Sequence, residues 1–247
     1  MKEPQARDGL KGIQMIIAFA GTKGGVGKTT LTLATACELQ RRGHRVLIVD
    51  ADSRQGSALT FDAIAKEKGT SSPPVIGMGP ALHKSLPDIA QDYDYVVIDC
   101  PGRDDGVQRG ALVTADVALL PTGPNPTEVW AMEGVFDLIR QAQQARELAQ
   151  IKPLHVGVVI NKNNPRTVLG KNIKSVFESS VFPVLDTHLT NLMPFAEAPA
   201  AGQGVVEYAP AHKAAIEIKA FVAEILKKFG AKRMSTRPTK VKEVRYG

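Results

Sequence analysis

The run Thr22-Lys23-Gly24-Gly25-Val26-Gly27-Lys28-Thr29 gathers three glycines, two lysines and a closing hydroxyl into eight residues. An apolar stretch, Met15 to Ala20, precedes it, and a helical pattern from Thr29 to Arg42 follows. Strand, glycine-rich turn and helix in that order build a cradle for a phosphate. Backbone N–H groups freed by the glycines converge with a helix N-terminus on one anion. Lys28 would add a point charge between the β- and γ-phosphates, and the Thr29 hydroxyl would face Mg²⁺. Thr30 completes the predicted contacts. The chain is expected to bind a nucleotide.

Hydrolysis of a bound nucleoside triphosphate needs Mg²⁺ on the phosphate oxygens and a group that holds water in line. Carboxylates at the C-terminal ends of strands beside the loop can serve both needs. One apolar run ends in Asp50-Ala51-Asp52 and another in Asp99-Cys100-Pro101-Gly102. Asp99, after Tyr-Val-Val-Ile, has the Walker B arrangement, a carboxylate aimed at Mg²⁺ through water. A strand-terminal cap is the plainer alternative for Asp99, and a solvated turn for Asp50 and Asp52.

The elements that must hold these residues are legible as continuous β-branched runs. After the first strand come Arg45–Val49, Tyr95–Ile98, Val117–Leu120 and His155–Ile160, with a short edge strand at Val75-Ile76. Such runs suit strands buried on both faces of a parallel sheet. Gly43 is placed to close the first helix. Asn125-Pro126-Thr127-Glu128 reads as a helix start, opening the longest helix, to about Leu148. Its apolar stripe includes Val129, Met132, Val135, Phe136 and Ile139, with Trp130 in packing or a subunit contact. A last helix is expected from about Ala211 to Phe229. Strand–helix alternation predicts a doubly wound, mostly parallel α/β sheet in one domain. That domain spans residues 14–229, between a loose leader at 1–13 and a basic tail at 230–247.

A chain of 247 residues with 43% hydrophobic content is long enough for one large α/β core. No apolar run approaches the roughly 18–20 residues of a membrane span. The first twelve residues are polar and broken by Pro4 and Gly9, without a signal-peptide core. Cys37 and Cys100 have no C-x-x-C partners, and the five histidines show no ligand spacing, so disulfide frameworks and zinc are not indicated. A cytoplasmic protein is expected. The net charge is +6, but residues from Lys227 onward hold eight basic side chains against one acid, leaving the body near neutral. Basic arms of this kind meet nucleic acid or anionic membranes, or stay solvated.

The loop departs from the ordinary G-x-x-x-x-G-K-[ST] pattern, which would place glycine at Thr22, and opens on Lys23 instead. This K-G-G-x-G-K-T form resembles the deviant Walker A motif of the ParA/MinD family of ATPases; a plain phosphate loop with an incidental lysine is the alternative. The resemblance implies that Lys23 reaches the partner's nucleotide across a dimer. Asp50-Ala51-Asp52-Ser53-Arg54-Gln55-Gly56-Ser57 is similar to the family's D-x-D-x-x-G-N element. It implies that Asp50 supports the Mg²⁺ shell and that Asp52 positions the water, making Lys23, Lys28 and Asp52 the catalytic candidates and Thr29, Asp50 and Asp99 the metal candidates. The loop Pro101–Gly106 resembles a second switch, with Arg103 a switch or interface residue rather than an arginine finger. Asn161 stands where the family places an asparagine that hydrogen-bonds adenine. Met193-Pro194-Phe195-Ala196-Glu197-Ala198-Pro199 with Val205-Val206-Glu207-Tyr208 resembles its E-A-P block, whose backbone faces the base, so ATP is favoured over GTP. Met193-Pro194-Phe195 departs from the basic stretch common there.

Pro124-Asn125-Pro126-Thr127-Glu128-Val129-Trp130-Ala131 looks most like the small plasmid-type ParA proteins, and without an N-terminal helix-turn-helix extension specific operator binding is not expected. The resemblance implies an ATPase that dimerises on ATP and Mg²⁺, binds double-stranded DNA without sequence preference, and positions or segregates a cargo. A ParB-like or other adaptor would stimulate hydrolysis, and the protein would sit on the nucleoid. Candidate DNA contacts are Lys162, Arg166, Lys171 and Lys174 after the adenine strand, and Lys213, Lys219, Lys227 and Lys228 on the last helix. A MinD-like membrane ATPase is the competing class, but the tail lacks bulky apolar residues opposite its lysines and contains Pro238. A small-molecule kinase or ligase would use the loop without needing Lys23. An iron–sulfur carrier would need paired cysteines, and a tyrosine kinase a tyrosine cluster.

Overall fold

The computed structural model describes residues 15–52, 54–103, 106–124, 132–171, 177 and 180–230. The first half runs β1 (Met15–Phe19), α1 (Lys28–Arg41), β2 (Val46–Asp50), α2 (Ser57–Lys68), β3 (Val75–Gly77), α3 (Leu82–Ile89), β4 (Tyr95–Asp99) and α4 (Gly106–Thr114). The second half runs β5 (Val117–Thr122), α5 (Met132–Leu148), β6 (His155–Ile160), α6 (Val168–Lys171), α7 (Pro194–Ala200), α8 (Val205–Tyr208) and α9 (Lys213–Ile225). The predicted helix start at Asn125–Glu128, Val129, Trp130, Lys174, the leader and the tail beyond Gly230 lie outside the described residues.

The six strands among the described residues join one sheet in the order β3-β2-β4-β1-β5-β6, and every described pairing is parallel. Alternate residues of β1 feed two different cores. Met15, Ile17 and Phe19 pack beneath α1, α2 and α7–α9. Ile16 and Ala18, with Ala20 just past the strand, pack against α3, α4 and α5. Double coverage is why these strands read as unbroken apolar runs rather than alternating ones. Fully burying Phe19, Phe61 or Phe221 contributes about 1.5–3 kcal/mol each.

The order places β1 between β4 and β5, so its C-terminal end faces a crevice where the chain departs to opposite faces of the sheet. Ligands of open α/β sheets bind at such a switch point. The register sets Phe19 beside Asp99 and Asp50 beside Asp99, so both predicted acidic strand ends flank the loop. Helix α1 is buried along most of its length, and its single buried acid, Glu38, is held by Arg41 at 2.6 Å and Arg42 at 2.8 Å. Arg42 also donates to the Lys219 carbonyl, tying α1 to α9. Gly43, at φ +89°, ends α1 in the left-handed conformation expected of it.

The predicted last helix is shorter at its start than expected. His212, in extended conformation, accepts from the Ala214 N–H and so caps α9, which begins at Lys213; a π turn over Leu226–Gly230 ends it.

Candidate nucleotide site

The loop between β1 and α1 is shaped by its glycines. Gly25 and Gly27 hold φ of +77° and +95°, and a Cβ at Gly27 would collide with Asn161 Nδ2. Only glycine satisfies both demands. Gly27 precedes Lys28, the first residue of α1, so the helix N-terminus opens directly onto the loop.

Three loop carbonyls accept side-chain hydrogen bonds. Lys28 Nζ donates to Lys23 O at 2.9 Å, Lys162 Nζ to Gly25 O at 2.6 Å, and Asn161 Nδ2 to Val26 O at 2.8 Å. Lys28 is buried, and burial pushes its pKa below the ordinary lysine value against the opposing pull of Asp99, Cys100 and Asp52. A buried ammonium held by one neutral carbonyl is suited to an incoming anion. The Lys23 side chain is exposed at the mouth of the loop.

Across the crevice, the Thr29 hydroxyl donates to Asp99 Oδ2 at 2.7 Å. Asp99 is 2% exposed, and its Oδ1 is buried without a hydrogen-bond partner. Burial raises its pKa to about 7, with Asp50 and Asp52 adding to the rise and Thr29 and Lys28 opposing it. The pair fits a divalent cation: a hydroxyl, and a carboxylate whose free oxygen lacks a donor. Among the described residues no cluster of three or more His, Cys, Asp or Glu could hold a metal by itself. Mg²⁺ here would take the rest of its oxygens from phosphates and water, as it commonly does.

The two carboxylates of the Asp50-Ala51-Asp52 element are used differently. Asp50 Oδ1 accepts from Asp52 N, and Oδ2 from Ala58 N and Leu59 N. It therefore anchors the start of α2, a helix that begins with no side-chain cap from Gly56. Asp52 is 7% exposed; its Oδ1 makes no hydrogen bond and faces the Arg103 guanidinium at 3.7 Å. A Cβ at Gly102 would come within 3.3 Å of Lys28 Nζ and 3.4 Å of Gly24, so the loop after β4 runs close beside the phosphate loop. Gln108 of α4 accepts from the Gly21 N–H at 3.2 Å.

The residues expected near the base lie at the end of β6 and at the start of α7. Asn161 is 6% exposed, and its Nδ2 donates to Val26 O, so one end of the amide braces the loop. The segment leading to α7 runs beside β6, with Asn163 N donating to Leu189 O and Asn191 N to Asn163 O. Met193, which follows it, is 67% exposed and Pro194 is buried.

Several of the candidate DNA contacts have partners within the chain. Lys162 spends its ammonium on the loop. Lys213 pairs with Glu217 at 3.3 Å, and Lys228 with Glu224 at 2.7 Å and Asp186 at 3.1 Å. The acids of α9 cancel much of the basic stripe read on it. Arg166, Lys171 and Lys227 remain exposed, and Lys219 is half-buried. Sequence reasoning misses the bracing by Lys162 and Gln108 and the pairing of Arg103 with Asp52. These contacts join residues far apart in the chain, and no local pattern marks them.

A separate cavity of about 360 Å³ opens at the N-terminal edge of the sheet, beside His83, Tyr93, Thr114, Asp116 and Ile151. None of the predicted site residues borders it.

The profile of the CobQ/CobB/MinD/ParA nucleotide binding domain family matches residues 17–205. Maintenance of carboxysome distribution protein A of Halothiobacillus neapolitanus is 27% identical over 212 residues, covering 85% of this chain and 95% of that protein. The chromosome-partitioning ATPase Soj of Thermus thermophilus is 26% identical over 241 residues, covering 85% and 94%. In fold, the septum site-determining protein MinD of Pyrococcus horikoshii, solved with Mg-ADP, superposes at a TM-score of 0.67 with 22% identity, covering 92% of this chain and 99% of that one. With a phosphate loop built on β1, a buried carboxylate at the end of β4 and a match across most of its length, the chain belongs to the CobQ/CobB/MinD/ParA nucleotide-binding domain family.

Proposed function

We propose that this chain is a ParA-like positioning ATPase. It binds ATP and Mg²⁺ in the loop, dimerises with Lys23 of each subunit on the other's phosphates, and then binds double-stranded DNA without sequence preference. An adaptor carried by the cargo stimulates hydrolysis and releases it. The observation that carries the nucleotide part is the Thr29–Asp99 pair with its unpartnered buried oxygen. Support for positioning comes from the relatives, a distribution protein and a partitioning ATPase, each matched along almost its whole length.

In this reading Lys28 and the N–H groups of Gly24 to Thr30 hold the phosphates. Thr29 and Asp99 hold the cation, which when bound neutralises phosphate charge. Asp50 fixes the loop that carries Asp52, and Asp52 orients the attacking water. Arg103 and Gly102 report on the γ-phosphate because they lie close to Asp52 and Lys28. Asn161, Met193 and Pro194 border the base. Arg166, Lys171, Lys219 and Lys227 supply the DNA surface, joined by Lys174.

Light scattering on the Asp52→Ala protein tests the switch. The molar mass should double with ATP and Mg²⁺ and stay monomeric with ADP. An equal mass in both states would refute ATP-driven dimerisation.

A further inference from the structure

Lys162 has two unusual features at one position. Its φ is +54°, a left-handed conformation that side chains rarely adopt, and its ammonium reaches Gly25 O, 137 residues away, at 2.6 Å. The other described non-glycine residue at positive φ, Gln150, lies just past the end of α5, where such a residue commonly terminates a helix. Lys162 instead follows β6, between Asn161, whose N–H pairs with Thr122 O, and Asn163, whose N–H pairs with Leu189 O. The strained residue interrupts otherwise regular pairing and turns its side chain onto the loop. Strain held in this way marks a position that the surroundings enforce.

The two neighbours act on consecutive peptide groups. Lys162 fixes the carbonyl of Gly25 and Asn161 that of Val26. Each peptide is planar and trans, so fixing a carbonyl also fixes the N–H on its far side. The Gly25 carbonyl shares its plane with the Val26 N–H, and the Val26 carbonyl with the Gly27 N–H. Side chains at the end of β6 thus set the direction of two successive loop donors before any anion arrives. Pre-aimed donors avoid an ordering cost on binding.

We propose that Lys162 is a positioning residue of the phosphate loop, which with Asn161 presets the Val26 and Gly27 N–H groups for a nucleotide phosphate. It is not a DNA contact. The inference rests on reading the loop as a nucleotide-phosphate site.

Three variants test it: Lys162→Met removes the charge and keeps the strain, Lys162→Gly removes both, and Lys162→Arg keeps a donor. The readouts are affinity for a fluorescent ADP with Mg²⁺, backbone order parameters of Val26 and Gly27 in the nucleotide-free protein, and the melting temperature. Loss of one charge-assisted hydrogen bond predicts about tenfold weaker ADP binding for Met and Gly. Order parameters at Val26 and Gly27 should fall from about 0.85 towards 0.6 in both. Lys162→Arg should restore both readouts, and Lys162→Gly should melt higher than Lys162→Met because the strain is relieved. Wild-type order and ADP affinity in the Met and Gly variants, with loss confined to DNA binding, would overturn the proposal. Failure of the wild-type chain to bind ADP would instead refute the nucleotide reading, and the order parameters would still decide whether Lys162 sets the loop.

Discussion

Thr29 gives its hydroxyl proton to Asp99 Oδ2 at 2.7 Å, while Asp99 Oδ1 is buried with no hydrogen-bond partner. The carboxyl has a raised pKa of about 7 against an ordinary 3.8, chiefly through burial. Between about pH 4 and pH 7 the folded chain therefore keeps a proton that the unfolded chain has released. Nucleotide-free stability should fall as pH rises through that window, and the loss is complete above it. In Asp99→Asn this slope should disappear, and the variant should melt a few degrees above wild type at about pH 8. Thermal melts across pH check this; an unchanged slope in the variant would contradict it.

Asp52 Oδ1 is buried, faces Arg103 at 3.7 Å and makes no hydrogen bond, so its accepting capacity is unspent in the nucleotide-free chain. Asp52→Ala should lower ATP turnover by about 10²- to 10⁴-fold, the range for losing a group that handles the attacking water. Nucleotide affinity should stay within about twofold, since the phosphates are held by the loop rather than by Asp52. Single-turnover kinetics beside equilibrium binding separate the two effects.

The two loop lysines should fail differently. Lys28 is buried and bonded to the loop's own Lys23 carbonyl, whereas the Lys23 side chain is exposed. Lys28→Ala should weaken nucleotide binding by at least about 100-fold, as expected for a buried charge that meets phosphate directly. Lys23→Ala should leave monomer binding of ADP near wild type and abolish ATP-dependent doubling of mass. Calorimetry with ADP and light scattering with ATP read the two outcomes separately.

Arg146 is 3% exposed and donates to the carbonyls of Leu112, Val113 and Ala115 at the end of α4 and of Lys152 beyond α5. Arg146→Met would strand these acceptors and should cost about 3 kcal/mol. The melting temperature should drop by about 6–12 °C, with ADP affinity retained in the folded protein. Calorimetric melting tests it.

The loop and the five longer strands are legible in the sequence because glycine placement and unbroken apolar runs are local signals. Val75–Gly77 is harder to see, since three residues at a sheet edge carry little pattern. The acidic strand ends are legible as a pair, but not their division of labour. Asp50 is drawn to the N–H groups of Ala58 and Leu59 by the way the chain turns into α2. Lys162 reads as a surface lysine because composition does not encode which carbonyl an ammonium will meet. Lys213–Glu217 and Glu224–Lys228 are spaced i,i+4, so their pairing follows from spacing alone and tempers a purely basic view of α9.

Binding to non-specific double-stranded DNA tests the positioning mechanism most directly. The measurement compares ADP, ATP, and ATP with Asp52→Ala across a salt series. Binding should require ATP, persist in the variant and weaken steeply with salt, each neutralised phosphate contributing about −0.9 to the logarithmic slope. Absence of binding in every nucleotide state, or equal binding with ADP and ATP, would contradict the mechanism.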